Sequence, residues 1–367
     1  MKNIFPGIIL LILLVAGCRD KVKDELRGPY AAAIEESRHL MDSLLKTGNA
    51  PGMDIAVSLH GEVVWSEGFG YADLEHQVKV ISGKTRFRIG SVSKPIAAAS
   101  VGRLMDMKKI DLDAPIQTYV PYFPGKRYPV TLRQVGGHLA GIRHYRNREF
   151  MLAEHFNTVE EGIAIFKDDT LLFEPGTRFS YSSYGFNLLS AAVEGASGED
   201  FLAFMQREVF DEIGMTSTTA DMNDSIIVHR ASFYEVNDAM QFENAPYVDN
   251  SYKWAGGGFL STTLDLLQFG EAHMVPGYLS ESTLAVLTTP QVLASGDTTD
   301  YGLGWFTWKE NGRQFISHGG GSIGGITDFV VYPDEELVIA VLSNSSNTRY
   351  GDVVGRIAAL FLDSGGQ

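Results

Sequence analysis

The sequence predicts a mixed α/β (α+β) fold, with one sheet assembled from both ends of the chain and a mostly helical subdomain inserted between them. Three observations carry this. Alternating β-type runs occur early, at Met53–His60 and Glu62–Tyr71, joined at Gly61 as a hairpin. Strand-like runs return late, at Tyr301–Trp308, Arg313–Ser317, Ile326–Tyr332 and Leu337–Leu342. Between about 111 and 290 the pattern is helical and loop-rich, punctuated by turns such as Pro121–Gly125 and Glu174-Pro175-Gly176. With 367 residues the chain can bury a sizeable core, as one large domain or two interleaved subdomains. The sheet part is expected at about 50–90 and 300–365, and the helical part at about 111–290.

At the N-terminus, Lys2 supplies a minimal positive region, and Ile4–Ala16 is an apolar run too short for a comfortable membrane span. It ends in Leu14-Val15-Ala16-Gly17-Cys18, which resembles a bacterial lipobox. That resemblance implies a signal peptide over residues 1–17, lipidation at Cys18, and a bilayer as partner through the lipid anchor. The expected location is the bacterial cell envelope, as a membrane-anchored lipoprotein of the periplasm or cell surface. Cys18 is the only cysteine, so no intrachain disulfide can form. Residues 18–30, charged and broken by Gly28-Pro29, read as a tether to a domain spanning 31–365. The helical pattern of Ala31–Lys46 closes at Gly48, Phe201–Ile213 closes at Gly214, and Asp352–Leu362 is a last apolar-faced helix. A formal net charge of −15 argues against a nucleic-acid partner, because phosphate binding needs clustered Lys and Arg.

The chemistry begins at Phe87-Arg88-Ile89-Gly90-Ser91-Val92-Ser93-Lys94-Pro95, which leads into an amphipathic helix through Ile110. Pro95 is tolerable only in a first helical turn, which puts Ser91 at the helix N-terminus. Lys94, three residues on, shares its face, so the amine can reach the hydroxyl. The partial positive charge of the helix N-terminus should lower the lysine pKa and favour a neutral amine able to take the serine proton. A serine with a base one turn away is a nucleophile candidate. Spacing alone does not decide this, because Ser43-Leu44-Leu45-Lys46 has the same spacing at an ordinary solvated helix end.

Two further motifs supply the neighbours. Phe179-Ser180-Tyr181-Ser182-Ser183-Tyr184 follows a Pro-Gly turn and precedes a helix, and Tyr181 could relay protons if nearby positive charge lowers its pKa. Ser317-His318-Gly319-Gly320-Gly321-Ser322 leaves the end of a strand, and its backbone N–H groups could form an oxyanion hole with that of Ser91. The same stretch could equally be a flexible glycine turn. It also contains Gly320-x-Ser322-x-Gly324 overlapping a His-Gly-Gly-Gly run. In α/β-hydrolases those motifs sit on separate elements and a histidine follows the acid; here no histidine follows position 318, so that fold is rejected.

Together the three motifs, in this order, resemble the penicillin-recognising serine hydrolases: serine β-lactamases of class C type, DD-peptidases and related esterases. Gly137–Tyr145, Glu174–Phe179 and Ala255–Thr262 also look like family segments, the first being especially similar to the mitochondrial serine β-lactamase-like branch. The resemblance implies a β-lactamase/DD-peptidase-like fold with an antiparallel sheet. It implies Ser91 as nucleophile, Lys94 as its base and Tyr181 as proton shuttle. Ser183, His318, Gly320 and Gly321 would serve substrate binding and the oxyanion. No cofactor or metal is implied. Two departures stand out: Ser183 replaces the asparagine of Tyr-x-Asn, and His318 replaces a cationic lysine. Both weaken the expectation of an efficient penicillinase. The expected activity is that of a serine acyl-enzyme hydrolase of small peptides or amides. An esterase or weak β-lactamase is the alternative within this chemistry, and a non-catalytic binding protein is the alternative outside it.

Overall fold

The computed structural model describes residues 28–47 and 50–364. The lipobox, Cys18 and most of the tether, as well as Gly48, lie outside the described residues. In chain order, α1 (Ala31–Thr47) precedes β1 (Gly52–Leu59), β2 (Glu62–Asp73), β3 (Val78–Lys79) and β4 (Phe87–Arg88). Then come α2 (Ser93–Asp106), α3 (Leu132–Gly136), α4 (Val159–Ile163), α5 (Ser183–Ser197) and α6 (Phe201–Met205). Three short strands follow: β5 (Thr219–Ala220), β6 (Tyr234–Val236) and β7 (Phe242–Asn244). After α7 (Trp254–Gly257) come β8 (Phe259–Ser261), α8 (Thr263–Glu271) and α9 (Glu281–Thr288). The chain closes with β9 (Phe306–Glu310), β10 (Arg313–Ser322), β11 (Gly325–Tyr332), β12 (Leu337–Ser343) and α10 (Val353–Ser364).

The main sheet is antiparallel, in the order β3-β2-β1-β12-β11-β10-β9, so its two central strands come from opposite ends of the chain. His60 and Gly61 both have positive φ (54° and 75°), the backbone of a tight hairpin turn whose twist matches the flanking strands. Side-chain alternation sorts the sheet into two faces. Met53, Ile55, Val57, Leu337, Ile339 and Val341 pack on one side with Ile34 and Met41 of α1 and Ile357 and Phe361 of α10. Ala56, Val338, Ala340 and Leu342 face the other side, where α2, α5 and α8 lie.

Helix α2 is the centre of that second core. Ser93 through Gly102 are all buried, so the helix is covered on all sides over this stretch rather than amphipathic as its spacing suggested. It ends at Asp106, short of Ile110, because Lys108 takes a left-handed backbone (φ 58°). The expected strand at Tyr301–Trp308 is delayed to Phe306, since Gly304 (φ 88°) turns residues 301–305 onto α2. The expected helix Phe201–Ile213 is interrupted by a π-type turn over Gln206–Asp211. Ser43 and Lys46 lie in the last turn of α1, as an ordinary helix end. Among the described residues, no helix is long and apolar enough to cross a membrane.

Candidate active site

Ser91 sits in a single 3-10 turn, Gly90–Val92, between β4 and α2. Two glycines allow that turn to lie directly on β10. Gly90 has φ 51°, and a Cβ there would stand 2.6 Å from the carbonyl oxygen of Gly321. A Cβ on Gly320 would overlap the carbonyl oxygen of Ile89. The turn is also stitched to β8: the Ile89 N–H donates to Phe259 O (3.2 Å), and the Phe259 N–H to Ser93 Oγ (3.2 Å). Arg88, buried against Asp221 (2.6 Å), donates to Ile323 O (2.8 Å) and so fixes the turn after β10.

Lys94 is wholly buried, with its Nζ 2.9 Å from Ser91 Oγ and 2.6 Å from the carbonyl oxygen of Gly256 in α7. Its pKa lies well below the ordinary lysine value, chiefly because burial penalises the ammonium and secondarily because Lys253 is nearby. The pKa is therefore lowered as expected, but burial rather than the helix dipole is the main cause. A neutral amine can donate one N–H to Gly256 O and accept the Ser91 proton on its lone pair. Lys253 is itself buried, within 4.3 Å of the Phe150 ring, and burial lowers it to about 7.

Tyr181 closes the other side: Lys94 Nζ stands 4.8 Å from its ring centroid. Burial pushes the Tyr181 phenol up, and the neighbouring Ser91 offsets only part of that. The lowered pKa expected from the sequence is not found; the phenol is instead held protonated.

The glycine run is strand, not a flexible turn. Gly319, Gly320 and Gly321 pair with Asp328, Thr327 and Ile326 of β11. β9 pairs with β10 only over Arg313–Ser317, so beyond that point the Ser91 turn occupies the place of a neighbouring strand. Gly320 is buried, whereas Gly319 and Gly321 are exposed. His318 does not present itself to a substrate. It is 1 % exposed, its Nδ1–H donates to Gly319 O (2.7 Å), and its Nε2 accepts from the Tyr301 hydroxyl (3.1 Å). Burial lowers it to about 3, so it stays neutral. Ser183 is also turned inward: it is buried at the start of α5, and its N–H donates to His144 Nδ1 (3.1 Å).

Ser91, Lys94, Tyr181, Gly320 and Gly321 thus converge, while Ser183 and His318 stand behind them. Sequence reasoning assigned no role to Gly256, His138, His144, Lys253 or Tyr301. The first three lie in segments already noted as family-like, which was the one signal available for them.

An antiparallel sheet backed by helices, with a serine, a buried amine and a protonated phenol meeting at a glycine strand, is the architecture of the serine β-lactamase and penicillin-binding-protein-like hydrolases. Comparison with known proteins agrees. The chain belongs to the β-lactamase family, whose model (Beta-lactamase) matches residues 38–362. It is 34% identical over 415 aligned residues to the human "Serine beta-lactamase-like protein LACTB, mitochondrial", covering 87% of this chain and 75% of the relative. It is 27% identical to "Penicillin-binding protein 4*" of Bacillus subtilis (strain 168), over 81% of this chain and 69% of that protein. The fold is shared with the octameric penicillin-binding protein homologue from Pyrococcus abyssi, at a TM-score of 0.79 and 23% identity, covering 90% of this chain and 77% of that one.

Proposed function

We propose that the protein is a serine hydrolase that cleaves small peptide or amide substrates through an acyl-enzyme on Ser91. The observation that carries this is the 2.9 Å contact between Ser91 Oγ and a lysine amine whose ammonium form is disfavoured by burial. Lys94 takes the Ser91 proton as Oγ attacks the carbonyl carbon. The N–H groups of Ser91 and Gly321 hold the oxyanion. Collapse of the tetrahedral intermediate expels the amine, which takes the Tyr181 phenol proton while the Lys94 ammonium returns its proton to the phenolate. Water, giving a proton to Lys94, then attacks the ester, and Ser91 Oγ recovers that proton as the acid leaves. A phenol that burial keeps protonated suits an amine leaving group, which must gain a proton to depart. That favours amide over ester cleavage. With His318 neutral and buried, no cation stands at that position to recognise a substrate carboxylate, which disfavours efficient β-lactam turnover. Side-by-side hydrolysis of D-alanyl peptides, acyl amides, short acyl esters and a chromogenic cephalosporin tests the reading. Amide or peptide turnover that is lost in Ser91→Ala supports it, and turnover of the cephalosporin alone contradicts it.

We further propose that Cys18 carries a lipid anchor in a bacterial envelope, on the lipobox-like Leu14–Cys18. Metabolic labelling with a fatty-acid analogue, lost in Cys18→Ala, is the expected result; a label retained in that variant sinks it.

A further inference from the structure

Tyr181 makes its part of the site from an extended stretch ahead of α5, and that stretch is held from one direction. The segment 138–144 grips it at four points. The Ser180 N–H donates to the carbonyl oxygen of His138 (2.9 Å), and the Ser182 N–H to His138 Nδ1 (3.2 Å). The Ser182 hydroxyl donates to Arg143 O (2.7 Å), and the Ser183 N–H to His144 Nδ1 (3.1 Å). One histidine therefore binds the amides on both sides of Tyr181, and a second binds the next one along. The His138 ring also lies 4.3 Å from the Tyr181 ring, centroid to centroid, and the His144 ring 5.8 Å.

The donors in these bonds decide the state of the imidazoles. A backbone N–H can only donate, so each Nδ1 must offer a lone pair and each ring proton must sit on Nε2. Protonating either ring would set N–H against N–H. The surroundings oppose that: burial lowers His144 to about 4 and holds His138 well below its ordinary value. His138 keeps a left-handed backbone (φ 62°) to make both of its bonds, and Arg143 is pinned by Glu149 (2.6 Å) and Asp169. The gripping segment is thus rigid on its own account.

We propose that His138 and His144 are positioning residues that clamp the backbone around Tyr181 and hold its phenol against Ser91. Their effect on rate rests on the proposed role of Tyr181 in proton transfer, but the clamp itself does not. Asparagine places an oxygen acceptor close to where histidine has Nδ1, and it tolerates left-handed backbone. Glycine tolerates that backbone without an acceptor. The test therefore compares His144→Asn with His144→Leu, and His138→Asn with His138→Gly, in the full-length protein. It reads turnover of an acyl p-nitroanilide, whose amine must gain a proton to depart, and hydrogen exchange at the Ser182 and Ser183 amides. The asparagine variants should keep near-native kcat and slow exchange. The leucine and glycine variants should lose about 10- to 100-fold in kcat with KM little changed, and exchange faster at the amide they no longer bind. Equal kcat and equal exchange within either pair overturns the clamp at that histidine. If a leucine variant fails to fold, the Asn/Gly pair at 138 still decides. A Tyr181→Phe control separates the two ideas: native kcat in that variant removes the proton-transfer role, while the exchange contrast continues to test the clamp.

Discussion

Lys94 is chemically useful because of where it is buried. Tyr181 and Phe186 rings, one carbonyl and one hydroxyl surround its amine, and this environment penalises the ammonium form. Lys94→Met fills the same space without a base, so kcat/KM should drop by about 10²–10⁴-fold while the melting temperature holds or rises. Lys253 tests the electrostatic part. Its positive charge lowers the Lys94 pKa, so Lys253→Met should raise that pKa. The neutral amine is the base, and the low-pH limb of kcat/KM should therefore move to higher pH. Lys253 is itself lowered to about 7, so the two profiles should converge above that pH, where it carries no charge. An unmoved limb would show that burial alone sets the base.

The element that fixes the site is β10, because it runs as strand through its glycines and receives the Ser91 turn on its free side. Gly320→Ala tests this contact: the added methyl would meet Ile89 O, a backbone atom that cannot move aside alone. The expected cost is about 1–3 kcal/mol of stability, with a larger fractional loss of activity than of folded protein. Stability and activity equal to the native protein's would mean that the turn and strand are not so closely apposed. The sequence made the local part of this legible. Alternating runs revealed β1 and β2, strand-like runs revealed β11 and β12, and Pro95 revealed the start of α2. The extension of β10 through Gly319–Gly321 was not legible, since it depends on pairing with β11 and on Gly90 arriving from a remote segment. The inward turn of His318 was hidden for the same reason: Tyr301, which satisfies its Nε2, is brought there by the bend at Gly304. The His138 and His144 bonds link positions about forty residues apart, beyond any periodicity.

At the scale of the molecule, the N-terminal part of the sheet and the inserted helices are tied together at Asp54 on β1. Its carboxylate accepts from Ser82 Oγ (2.6 Å), the Gly83 N–H (3.0 Å) and Thr263 Oγ1 at the start of α8 (2.8 Å). Burial outweighs these bonds and raises its pKa from 3.8 to about 6. The folded state therefore binds the proton more tightly than the unfolded state. The associated stability is fully present below 3.8 and is lost as pH rises through about 6, by a total on the order of 3 kcal/mol. Denaturant melts of native protein and Asp54→Asn should show the native protein losing that much relative to the variant between pH 4 and 7; a constant difference contradicts it. The central claim is that this assembly exists to make Ser91 a nucleophile. The most direct measurement is the intact mass of the protein after exposure to a fluorophosphonate probe, with the modified residue located by peptide sequencing. The account predicts one adduct, on Ser91, absent from Ser91→Ala and much slowed in Lys94→Met. No adduct, or one that persists in Ser91→Ala, would contradict it.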